Sequence, residues 1–168
     1  MFPKSAGFRG NASTASDPYR DEVALSSTTR KALGVISQVT LGAVLLAAGT
    51  GHLTKQREAF QAQVPEWLPA DPDLVVVVSG VVELALGAAL VATWKQPARA
   101  LVGTAAGAFF VAVFPGNIGQ YTRHADAFGL DTDTKRAVRL VFQPVLVAWA
   151  LASTDAVQVF RERRALAR

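Results

Sequence analysis

The stretch "VVVVSGVVELALGAALVA", residues 75–92, decides the fold. It is apolar almost throughout, yet Glu83 stands near its middle with nothing adjacent in sequence to solvate it. Val75 to Val78 are β-branched, which taken alone favours a strand. The run is nevertheless long enough to cross a bilayer, which takes about 20 residues as a helix. In hydrocarbon a segment must satisfy its own backbone hydrogen bonds, so helix is the reading.

Three further runs resemble it. They are residues 32–53, "ALGVISQVTLGAVLLAAGTGHL", 100–120, "ALVGTAAGAFFVAVFPGNIGQ", and 137–153, "AVRLVFQPVLVAWALAS". With 74–93 they make four spans, so the fold class is an all-α integral membrane protein, a four-transmembrane-helix bundle. Residues 1–30 read as a flexible, polar, turn-rich cytoplasmic tail. Residues 31–153 are the membrane domain. Residues 154–168 are a basic cytoplasmic tail that continues the fourth helix along the interface.

Composition agrees. Of 168 residues, 51% are hydrophobic and 18% charged, and the charges collect at the ends and in the connections. There is no cysteine, which excludes disulfides, thiolate metal sites and dithiol chemistry. The net charge of +4 comes from basic residues flanking apolar runs, which suits anionic lipid headgroups rather than nucleic acid. Lysine and arginine set the orientation. Eleven lie in the two tails and the 94–99 connection, six in the other two connections and at the start of the fourth span. Both termini are therefore expected in the cytoplasm, with the chain in a bacterial inner membrane.

Helical spacing shows which faces turn inward. Gly34, Gln38, Gly42, Leu45, Gly49 and His52 share one stripe of the first span. Ser79, Glu83 and Gly87 share one on the second, with Gly80 beside them. Gly103, Gly107, Phe110, Phe114 and Asn117 share one on the third. Arg139, Gln143, Leu146, Ala150 and Ser153 share one on the fourth. The glycines read as helix-contact positions, because close packing drives association in lipid.

The polar members carry more information. Glu83 is about 10 residues into its span, roughly 15 Å deep at the helical rise. His52, Asn117, Gln120, Arg139 and Gln143 sit at the ends of the other spans that meet the same half of the bundle, and Ser79 is one turn from Glu83. A charged residue at mid-membrane costs about 2.5–3.5 kcal/mol on insertion scales, so it faces inward and finds a partner. His52, Ser79, Glu83, Asn117, Gln120, Arg139 and Gln143 are the candidate pocket. Two roles stay open for Glu83: a lock between helices, or a group that meets a ligand. Pro115 and Pro144 are expected to kink the third and fourth spans and free carbonyls there. The connection "TKQREAFQAQVPEWLPADPD" is amphipathic, with Phe60, Val64, Trp67 and Leu68 placed to anchor at the interface or to cover the cavity.

Four pieces in order, "AGTGHLTKQREAFQAQVPEWLP", "SGVVELALGAAL", "FPGNIGQY" and "RLVFQPVLVAWA", resemble the DoxX-like family of small four-helix bacterial membrane proteins. The resemblance runs from residue 47 to 150. The family's recurrent positions fall on His52, Glu83, Pro115 with Asn117, and Arg139 with Gln143 and Pro144. It implies a partner or anchoring subunit of a quinone-linked redox assembly, beside other membrane subunits or further copies of the chain. The implied occupant of the pocket is a quinone or a lipid; no resident cofactor or metal is dictated.

Two motifs mislead. Asp131-Thr132-Asp133-Thr134 matches an aspartyl phosphotransferase pattern, but it precedes a membrane helix instead of ending a buried strand, so it reads as a helix cap. Two histidines without cysteine make a poor metal set. No complete catalytic constellation is visible, so a non-catalytic subunit fits better than a stand-alone enzyme. A helix-register protein without ligand and a small proton-coupled carrier are the alternatives.

Overall fold

A computed structural model describes residues 18–168, with side-chain surroundings from residue 29 onward. The chain divides into a unit ending at Ala32 and a unit from Leu33 to Arg168. Within the first, Pro18–Ala32 is helical. The expected polar tail lies partly outside the described residues, and its described part belongs to a helix. Apolar periodicity reports where a helix meets lipid, not where it begins.

Among the described residues six helices follow in order: α1 Pro18–Leu53, α2 Arg57–Gln61, α3 Pro72–Ala92, α4 Ala98–Thr122, α5 Asp133–Ser153 and α6 Ala156–Leu166. Four segments, Thr29–Leu53, Pro72–Ala92, Ala98–Thr122 and Asp133–Ser153, are long and apolar enough to cross a membrane. The protein is thus an all-helical, multi-pass membrane protein, as the apolar runs predict.

Local chemistry sets the boundaries. Asp71 caps α3, its carboxylate accepting from the Asp73 and Leu74 amides at 2.8 and 3.2 Å, and Pro72 occupies the first turn, where no amide is missed. Thr132 caps α5 through the Lys135 amide, so the Asp-Thr-Asp-Thr motif is a helix start, as expected. That start at Asp133 is earlier than residue 137, because the first turn is polar. α4 and α5 run on as helices through Pro115 and Pro144.

The C-terminal segment differs from expectation. It does not continue α5: Asp155 adopts a left-handed conformation (φ 55°), and α6 sets off separately. Arg99 holds this corner, donating through Nη1 to Asp155 Oδ2 at 3.0 Å and through Nη2 to the Ser153 carbonyl at 2.5 Å.

Glycines allow α1 and α3 to touch through their backbones. A Cβ on Gly42 would stand 2.9 Å from the Gly87 carbonyl oxygen, and one on Gly87 would stand 2.8 Å from that of Gly42. Gly49 and Gly80 repeat the arrangement nearer the other end. The apolar core is Leu41, Leu45, Leu90, Ala106, Phe110 and Ala150, drawn from all four spans. Ile36, Val81, Val111 and Phe142 are among the large apolar side chains left exposed, as a lipid-facing surface requires.

The bundle end that holds Arg99 is closed by polar bonds. Gln38 donates to the Leu90 and Thr93 carbonyls at 2.6 and 2.9 Å, satisfying groups that the end of α3 leaves free. Arg99 Nε donates to Gln38 Oε1 at 2.5 Å. The opposite end is open and holds the candidate site.

Candidate functional site

Residues 44–52 of α1, 75–83 of α3, 110–117 of α4 and 139–146 of α5 meet around a cavity of about 470 Å³. His52, Ser79, Glu83, Asn117, Arg139 and Gln143 all line it. Six of the seven residues expected from helical spacing therefore converge. Gln120 does not. It is buried, but its Nε2 donates to the Ala125 carbonyl at 3.4 Å, under the connection that follows α4. Its position one turn beyond Asn117 carries it past the cavity.

Glu83 is 8% exposed and His52 6%. Their facing atoms, Glu83 Oε2 and His52 Nδ1, are 3.2 Å apart. Ser79 Oγ lies 3.1 Å from the same ring nitrogen and donates its hydrogen to the Val76 carbonyl at 2.9 Å. When the hydroxyl hydrogen goes to the Val76 carbonyl, Nδ1 is the donor toward Ser79 and the ring proton is on Nδ1. Glu83 Oε2 is buried and has no hydrogen-bond partner, because the approach of Nδ1 falls outside hydrogen-bond geometry.

Across the cavity runs a chain of bonds with one direction. Arg139 Nε donates to Asn117 Oδ1 at 3.0 Å, Asn117 Nδ2 to Gln143 Oε1 at 2.8 Å, and Gln143 Nε2 to the Phe110 carbonyl at 2.5 Å. Arginine can only donate and a carbonyl can only accept, so the two ends fix both amide orientations. Arg139 Nη2 also donates to Gln63 Oε1 at 3.1 Å.

Gln63 and Phe128 were not among the residues expected at the pocket, and Phe60 was expected only as part of a connection that anchors at the interface or covers the cavity. Phe60 packs edge-on to His52, with ring centroids 3.5 Å apart, and against Phe128 at 4.4 Å. The Arg139 guanidinium lies over Phe128, 5.4 Å from its centroid. The α1–α3 connection forms a wall, contributing Phe60, Gln63, Val64, Pro65, Trp67 and Leu68. Its amphipathic pattern identified it as a cover or an anchor; it lines the cavity while Trp67 stays 71% exposed. Arg123 fastens it, donating to the Ala62 and Val64 carbonyls at 2.9 and 3.2 Å and to Glu66 at 3.2 Å. Gly116 lets it approach α4: a Cβ there would stand 2.7 Å from the Gln63 carbonyl oxygen. Arg57 and Gln61 tie its other side to Asp73.

Among the described residues no group of three His, Cys, Asp or Glu side chains could hold a metal ion. What the site offers is a buried carboxylate, an imidazole and a guanidinium set into apolar walls that include Val44, Ala48, Val75 and Leu146. That is the make-up of a small-molecule site: mostly apolar, with a few placed polar groups.

Fold and cavity together define a multi-pass, four-span membrane protein with a polar pocket at one end of its bundle. The family model described as "Domain of unknown function (DUF8561)" matches residues 41–154, and the chain belongs to that family. The matched segment contains every residue named in the pocket. No curated protein and no solved structure matches the chain.

Proposed function

We propose that this protein is an accessory or anchoring subunit of a quinone-linked redox assembly in a bacterial inner membrane, and that its cavity receives the head of a quinone-type amphiphile. The observation that carries the reading is the convergence of Glu83, His52 and Arg139, from three spans, on one apolar cavity. Ionisable side chains are costly to bury in a membrane, and helix packing alone does not require three of them at one place. The DoxX-like resemblance of residues 47–150 supports the redox setting, and the excess of lysine and arginine on the terminal side supports cytoplasmic termini.

The bond chain from Arg139 to Gln143 favours a second reading, in which the polar cluster only fixes helix register. Isolation from native membranes in mild detergent separates the two. Co-purification of redox subunits, with quinone in the lipid extract, is expected on the first reading. Isolation of the chain by itself, with no quinone in the extract, contradicts it.

A further inference from the structure

The hydrogen-bond inventory of the cavity restricts the head group further. This inference rests on the reading of the cavity as an amphiphile site. Glu83 Oε2 is covered by protein, whereas Oε1, equally without a hydrogen-bond partner among the described residues, is not sealed off. On the other side, Arg139 spends Nε on Asn117 and one Nη2 bond on Gln63, leaving Nη1 without a partner among the described residues. The cavity thus presents one carboxyl oxygen and one guanidinium nitrogen to whatever fills it, while His52 Nε2 and Gln63 Nε2, on lining residues, are covered by protein and have no partner.

We infer that the ligand is an amphiphile whose head carries a hydroxyl directed at Glu83 Oε1, with an oxygen acceptor toward Arg139 Nη1: the reduced, phenolic form of a quinone-type ring in preference to the oxidised form. The oxygens decide this. Oε2 is buried without a hydrogen-bond partner, so a proton there would have no acceptor, and any proton on the carboxyl sits on Oε1. A hydroxyl can donate to an ionised Oε1 or accept from a protonated one, and so pairs with it in either state. A carbonyl or ether pairs only with the protonated state and otherwise sets lone pairs against a carboxylate. Arg139 does not discriminate, because hydroxyl, carbonyl and ether oxygens all accept. Val44, Ala48, Val75 and Leu146 contact the ring and the start of the tail through apolar surface alone and add no preference.

The test uses the full chain in lipid nanodiscs, with empty nanodiscs subtracted, and calorimetric titration of two probe pairs. One pair is a long-chain 4-alkylphenol and its methyl ether, which differ only in the donor. The other is a decyl-substituted benzoquinol, held reduced under argon, and its benzoquinone. The phenol is expected to bind about tenfold more tightly than the ether, the size of one unmade hydrogen bond to a charged group. The quinol should exceed the quinone similarly. Glu83→Gln, which keeps the shape, should narrow both ratios to within about threefold, and Gln158→Leu, on α6 and outside the cavity lining, should leave the ratios unchanged. Equal binding of both members of each pair overturns the inference while leaving the cavity an amphiphile site. A preference that persists in Glu83→Gln overturns the role given to Glu83. Binding of none of the probes removes the underlying reading as well.

Discussion

His52, at the end of the first span, holds its Nδ1 atom 3.2 Å from Glu83 Oε2 in the second, and both side chains are buried. Residues 31 apart in sequence are thereby coupled across the α1–α3 contact. Truncating either side chain removes a close buried neighbour of the other and leaves a void beside a polar group in a low-dielectric setting. Glu83→Ala and His52→Ala are each expected to destabilise the protein by about 1–3 kcal/mol. In a double-mutant cycle the pair should show a coupling of about 0.5–3 kcal/mol, read from unfolding in mixed detergent micelles. Strict additivity would mean that the two side chains do not interact.

The α1–α3 contact depends on the absence of side chains at its crossing. Gly87→Val would drive carbon against the Gly42 carbonyl, already 2.8 Å from a bare Cβ. A loss of about 1–3 kcal/mol follows from overpacking of this kind, seen as a lower unfolding midpoint. Gly119→Ala is the control, because its Cβ would meet nothing closer than 3.5 Å. An equal loss in both variants would contradict the crossing.

The face that α1 buries was legible because a period of 3.6 applied to an apolar run leaves few inward positions. Gln38, Gly42, Gly49 and His52 fall on one stripe, and all four are buried. Glu83, Asn117, Arg139 and Gln143 were found by the same rule, together with the cost of a lipid-facing charge. Gln63 and Phe128 escaped it, and Phe60 was legible only through the amphipathic pattern of its connection. They sit in or beside connections, where no period holds, and what places them is a close approach at Gly116 and the grip of Arg123. Gln120 was included on position alone and is spent locally on Ala125. The break at Asp155 was equally illegible, since neither glycine nor proline marks it.

Arg123 makes three contacts to the α1–α3 connection, two of them to backbone carbonyls. Arg123→Ala should leave the spans intact and loosen residues 62–66. Limited proteolysis should cut there severalfold faster than in the unaltered protein, with an unchanged helical circular-dichroism signal. Unaltered cleavage would mean that the connection is held by its apolar contacts instead.

The chain has no cysteine, so single cysteines report sidedness cleanly. Glu58→Cys and Asp126→Cys should react with a membrane-impermeant maleimide applied to intact cells with a permeabilised outer membrane. Lys95→Cys and Glu162→Cys should react only after the inner membrane is opened. The reverse pattern would place both termini outside the cytoplasm, without moving any residue of the pocket relative to another.

An experimental density map of the protein in a lipid nanodisc, titrated with the alkylphenol, tests the central claim most directly. The account predicts Glu83 turned into the bundle, His52 beside one carboxyl oxygen and head-group density against the other, with Arg139 on the far side of the ring. Glu83 directed at acyl chains, with His52 and Arg139 engaged elsewhere and the cavity filled by side chains, would contradict it.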